Sequence, residues 1–120
     1  MPDDQNVLIE SLISIASEMF RFRSVFERAV GKLDIGEQGK YLSQYAWFSK
    51  RVERALDAAG LRTVDLTGEL YDPGMAAAPL NIEEFDLEDT LYVAQMMQPI
   101  IMRGTDVMKS GTVILGRIEK

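Results

Sequence analysis

Leu56-Asp57-Ala58-Ala59-Gly60-Leu61-Arg62-Thr63-Val64 is the stretch at which the chain changes its pattern. Before it, apolar residues recur at helical spacing; after it, short β-prone runs alternate with turn signals. Gly60 stands where a helix C-terminus takes a left-handed residue, and Leu61 starts a period-two alternation. The reading is α+β: residues 1–60 form a helical dimerisation region and residues 61–120 a small β domain.

Backwards from Gly60, Leu42, Tyr45, Ser49, Val52, Leu56 and Ala59 follow one another at steps of three and four residues, with Tyr41, Trp47 and Phe48 beside them. That spacing predicts a helix. Leu8, Leu12, Ile15, Met19, Phe22, Phe26, Ala29 and Leu33 repeat the pattern as a heptad seam on one earlier helix, with Asp3 and Asp4 at its N-cap and first turn. Gly31, Gly36 and Gly39 around Asp34 predict a short connection, which makes the two helices antiparallel. Ile9, Ile13, Ala16, Val25 and Val30 widen the apolar arc beyond what one neighbour can cover. Two hairpins paired across a two-fold axis would cover it, so a homodimeric four-helix bundle is expected. Its interface candidates are Leu12, Ile15, Met19, Phe22, Phe26, Leu42, Tyr45 and Val52. The alternative is that the helices fold back on the second half of the same chain.

Forwards from Gly60, Tyr71-Asp72-Pro73-Gly74 is a turn signal, and Ala76-Ala77-Ala78-Pro79 cannot continue a helix through its proline. Strands are expected at Leu80–Phe85, Thr90–Met97, Ile100–Arg103, Val107–Lys109 and Thr112–Ile118, with a tight turn at Gly104-Thr105-Asp106 and Pro99 at an edge or bend. The result is a compact antiparallel β domain, at a size where folding alone is marginal.

Composition removes many chemistries. The 120 residues contain no His and no Cys, so there is no imidazole shuttle, no thiolate nucleophile and no zinc site of the Cys/His kind. No Gly-rich phosphate loop occurs and no carboxylate pair is singled out by spacing, so catalysis is not expected and neither is a metal or cofactor. Residues 1–60 carry nine acids and eight bases, residues 61–89 eight acids and one base, and residues 90–120 two acids and four bases. An acidic middle and a net charge of −6 argue against a nucleic-acid partner. No basic start with an apolar run and no 18-residue apolar stretch is present, which argues against a membrane span and leaves the cytoplasm as the expected compartment. The acids of residues 83–89 read as a solvated loop, because they lack the Gly-punctuated spacing of a calcium loop.

Four segments in order carry a resemblance. They are Ser24-Val25-Phe26-Glu27-Arg28-Ala29-Val30 on the first helix, Leu56 to Val64, the turn Gly68-Glu69-Leu70-Tyr71-Asp72-Pro73-Gly74, and the closing pair Met102-Arg103-Gly104 and Lys109-Ser110-Gly111-Thr112-Val113-Ile114-Leu115. Together, over residues 20–118, the chain resembles GrpE, the nucleotide exchange factor of Hsp70-type chaperones of the DnaK kind. It departs from that family at Ala76 and Ala77, where the family has His and Glu, at Thr105 in place of Arg, and at Gln98-Pro99 in place of a glycine-aromatic pair. The first helix begins almost at residue 1, so the family's long N-terminal stalk is expected to be missing.

The resemblance implies a dimeric co-chaperone of protein folding and the stress response that binds the nucleotide-binding domain of an Hsp70-type chaperone and promotes ADP release. Such a protein needs contact area rather than catalytic groups. The alternative is a GrpE-like dimeric adaptor without exchange activity. Met97, Met102, Arg103 and Lys109 are the partner-contact candidates, since they combine adaptable apolar reach with the positive charge of the last third. Gly68, Tyr71, Asp72, Pro73 and Gly104 are read as architecture: Asp72 accepts hydrogen bonds within its own turn, Pro73 presets φ, and Tyr71 buries its ring at the junction of helices and sheet.

Overall fold

The structure is a computed structural model that describes residues 4–119. The chain divides into two compact units, with the boundary between Arg62 and Thr63. Asp3, read as a helix cap, lies outside the described residues.

The first unit is a helical hairpin of α1 (Asp4–Val30) and α2 (Ile35–Ala58). The α1 helix ends as its last carbonyls turn to local partners: the Gly31, Lys32 and Leu33 amides donate to Glu27, Ala29 and Val30. Gln38 reaches back from α2 and donates its side-chain amide to the Leu33 carbonyl at 2.7 Å, a side-chain lock on the connection. The connection is shorter than the glycine cluster suggests, because Gly36 and Gly39 lie inside α2. The Asp34 carbonyl accepts from the Glu37 and Gln38 amides at 2.9 Å and starts the helix there. Each interior glycine costs roughly 1 kcal/mol relative to alanine, which a 24-residue helix absorbs.

Positions four and three apart on a helix fall in two columns roughly 50° apart, and the heptad seam of α1 separates along them. Leu12, Met19 and Phe26 are half-buried, whereas Leu8, Ile15 and Phe22 are 63%, 62% and 57% exposed. The buried column meets α2 through Tyr45, whose ring centroid lies 5.5 Å from that of Phe26 and whose hydroxyl donates to the Met19 carbonyl at 3.4 Å.

After the helices come two three-stranded sheets, which belong to the second unit apart from Leu61 and Arg62 at their start. In one the order is β1 (Leu61–Val64), β4 (Ile100–Arg103), β5 (Asp106–Lys109); in the other it is β2 (Ala77–Pro79), β6 (Gly111–Arg117), β3 (Leu91–Gln98). Gly60, with φ +77°, makes the left-handed residue between α2 and β1. The expectation of a purely antiparallel domain is corrected: β2 runs parallel to β6, with Ala77 opposite Gly111. The strand expected at Leu80–Phe85 is also corrected, since Ile82–Glu84 form a single 3₁₀ turn. The cause is Asn81. Its side-chain amide donates to the Leu115 carbonyl at 3.0 Å and accepts the Leu115 amide at 2.9 Å, continuing the edge of β6 in place of backbone. The main chain is thereby released to turn.

Pro99 is buried where the chain leaves β3 in one sheet and enters β4 in the other. A residue without an N–H cannot extend either ladder, so it marks the passage between them. Register shifts in β3 at Val93/Gln95 and at Met96/Gln98 turn Val93 and Met96 alike to the interior. The core of this unit is built from Leu91, Val93, Met96, Ile100, Ile101, Val113 and Leu115. Each such side chain contributes about 1.5–3 kcal/mol by leaving water.

Candidate partner-binding surfaces

The β4–β5 hairpin is closed by Gly104 at φ +62°, which lets Arg103 and Asp106 stand opposite each other as a cross-strand pair of unlike charge. Met102 faces Val107 in the same ladder, and Ile101 faces Lys109. Three of the four partner candidates, Met102, Arg103 and Lys109, thus share one hairpin; Met97 belongs to β3 in the other sheet. Met97 is 37% exposed while its neighbour Met96 is buried, as strand alternation requires. Met102 and Lys109 are half-buried and Arg103 is exposed. The structure adds Val107 and Met108, both exposed on β5, to the apolar part of this hairpin. The run Asp106-Val107-Met108-Lys109 carried the signal: two large apolar residues in succession on a short strand leave at least one outward-facing.

The helical unit carries the second surface. Four rings form a row, Phe22 to Phe26 at 6.2 Å, Phe26 to Tyr45 at 5.5 Å and Tyr45 to Phe48 at 6.2 Å between centroids. The inner two are half-buried and the outer two lie about half in water. Of the eight interface candidates, Met19, Phe26 and Tyr45 make contacts within the hairpin. Ile15, Phe22 and Leu42 remain substantially exposed, and Leu12 and Val52 are half-buried. Val25, Tyr41, Trp47 and Phe48 enlarge the exposed apolar area, with the Arg51 guanidinium 4.5 Å over the Trp47 ring. Burial pushes the Tyr45 hydroxyl above its ordinary pKa of 10.0; Arg23 pulls it down, and Glu27 and Glu53 push it further up.

The turn residues hold the positions expected of architecture. Gly68, at φ +90°, donates its amide to the Val93 carbonyl at 2.8 Å, and the Tyr71 amide donates to Leu91, so this segment runs along the outer edge of β3. Asp72 Oδ1 accepts the Gly74 amide at 3.0 Å and the Asp72 carbonyl accepts the Met75 amide at 2.9 Å, with Pro73 between. Tyr71 is half-buried and lines a cleft made by residues of the β unit, with Pro73, Ile82, Phe85 and Leu91. Among the described residues no acidic cluster could hold a metal ion, and no helix is long and apolar enough to cross a membrane.

Comparison with protein-family models, with curated proteins and with solved structures finds no match for this chain.

Proposed function

We propose that the chain is a GrpE-like co-chaperone: a homodimer joined through the exposed apolar column of its helical hairpins, whose β unit binds the nucleotide-binding domain of an Hsp70-type chaperone and favours release of ADP. The observation that carries this reading is the placement of the glycines on which the resemblance rests. Gly60, Gly68 and Gly104 are the described residues with left-handed φ, and they sit at the helix-to-strand passage, the turn before Tyr71-Asp72-Pro73 and the closing hairpin. Glycine supplies the positive φ that each of these turns needs, so the segments that carry the resemblance fall at turns of the chain. The open column Leu8, Ile15, Phe22 supports the dimer.

The mechanism is differential binding. A partner that fits the open form of a nucleotide cleft better than the closed form shifts the population towards opening, by no more than the difference in the two affinities. The residues assigned to contact are Met97, Met102, Arg103 and Lys109. Met97 and Met102 supply unbranched apolar reach, Arg103 supplies a cation beside the turn of the hairpin and Lys109 one at its open end.

A specific observation favours the second reading, a dimeric adaptor without exchange activity. Ala77, at the position of the family's glutamate, is buried in β2 against β6, and Ala76 beside it is half-buried. Polar groups that the family presents there are replaced by packing. Release of a labelled ADP from a DnaK-type chaperone, with and without the chain at micromolar concentration, separates the two: acceleration is expected, and an unchanged rate with binding retained would leave the adaptor.

A further inference from the structure

A cleft of about 300 Å³ opens on the β unit, floored by Leu91 and walled by Tyr71, Pro73 and Phe85, with Ile82 and Leu87 at its mouth. Leu87 is fully exposed at 106%, and Ile82 is 43% exposed. An adjoining depression is lined by Glu88, Thr90 and Arg117, and Asp89 belongs to both. The Asp89 carboxylate is 18% exposed; its Oδ2 accepts the Asp86 amide at 2.9 Å and lies 3.9 Å from Arg117 Nη1. An apolar hollow and an anionic step therefore stand side by side.

We infer that this cleft is a docking site for a basic peptide segment of a partner protein, in which a leucine or aromatic side chain enters the hollow and a neighbouring Lys or Arg meets Asp89 and Glu88. Shape and charge each select the occupant. The hollow is lined mainly by apolar residues, with Asp86 and Asp89 as its acidic part, and is large enough for one bulky side chain, which favours a peptide anchor over an ion. The loop from Asn81 to Asp89 carries five acids, Glu83, Glu84, Asp86, Glu88 and Asp89, and no base. Asp89 has Arg117 beside it, but Glu83, Glu84, Asp86 and Glu88 are exposed, so an acidic segment is repelled whereas a basic one gains attraction during approach and on docking. None of its lining residues belongs to the β4–β5 hairpin or to the helical column, so the proposal stands independently of the exchange-factor reading.

The test uses the full chain and a fluorescein-labelled peptide, Gly-Ser-Leu-Lys-Phe-Arg-Gly-Ser, with a matched peptide in which Glu replaces Lys and Arg. Fluorescence anisotropy is expected to show saturable, salt-sensitive binding of the basic peptide alone. Leu87→Ser, at a fully exposed position that folding does not use, weakens it by about tenfold. Glu88→Gln weakens it by about threefold, the scale of one exposed ion pair. Amide shifts on titration fall within residues 71–91 and at Arg117. No saturation with the basic peptide at millimolar concentration, equal binding of the acidic peptide, or shifts centred on the helices or the β4–β5 hairpin would each overturn the assignment.

Discussion

Phe22→Ser tests whether the exposed column of α1 joins two copies of the chain. A phenylalanine carries roughly 200 Å² of surface that burial removes from water, and 57% of Phe22 lies open to solvent. Covering that remainder, about 110 Å², contributes ~3 kcal/mol per protomer at ~25 cal/mol per Å², and the two-fold axis doubles it to ~6 kcal/mol. Ordering and imperfect fit at an interface take back a large share, so we expect ~3 kcal/mol, about a hundredfold in Kd. Serine at this exposed position leaves the intrachain contact of Phe26 with Tyr45 in place, so the helices persist and circular dichroism is unchanged. Sedimentation equilibrium reads the result, with Ile35→Ser as the control, because Ile35 is 87% exposed but lies outside the seam. If the unmodified chain sediments at 13.5 kDa at tens-of-micromolar loading, or Phe22→Ser loosens the dimer no more than Ile35→Ser does, the column is not an interface.

Other outcomes follow from packing in the same way. A Cβ added at Gly111 would lie 2.8 Å from the Gln98 carbonyl oxygen, backbone that cannot move aside, so Gly111→Ala is expected to destabilise the β unit by about 2 kcal/mol. At Gly116 the obstacle is the Tyr92 ring at 2.7 Å, a half-exposed side chain that can swing away; Gly116→Ala should cost less, and urea midpoints compare the two. Asn81→Ala strips both hydrogen bonds from Leu115 and is expected to cost about 1–3 kcal/mol, with faster amide exchange at Leu115 as its signature. The Tyr45 hydroxyl is held above its ordinary pKa in the folded hairpin, so its contribution is complete below pH 10.0 and is lost as pH rises through the folded-state value. Thermal melts should show that alkaline loss in the unmodified chain and a smaller one in Tyr45→Phe.

The helices were legible from period and punctuation: the three-and-four spacing ran to Leu33, three residues past the end of α1 at Val30, and Gly60 ended the second helix at the residue named. Gly36 and Gly39 misled, since glycine is also tolerated inside a long helix whose first amides have a ready acceptor in Asp34. Strands β3 to β6 were found from β-prone runs. The parallel partner β2 was missed because three residues ending in proline carry no periodicity. The 3₁₀ turn was read as a strand because Leu80 and Ile82 alternate with polar residues, while the deciding group was an amide side chain pairing with a strand 34 residues away. The apolar cleft had no local signal either, since Tyr71, Phe85 and Leu91 come together only through the pairing of residues 68–71 along β3. For the contact residues, alternation separated Met97 from Met96, but sequence could not show that Met102, Arg103 and Lys109 would share a hairpin from which Met97 is absent.

The proposed exchange function requires binding to an Hsp70-type chaperone. The most direct measurement is the release rate of a labelled ADP from a DnaK-type chaperone, read by stopped-flow fluorescence with the unmodified chain and with a variant carrying Met102→Ser and Arg103→Ser. If the proposed function holds, the unmodified chain accelerates release in a saturable manner and the double variant, still dimeric, does so far less. Release that proceeds at its unassisted rate at saturating micromolar dimer would contradict it.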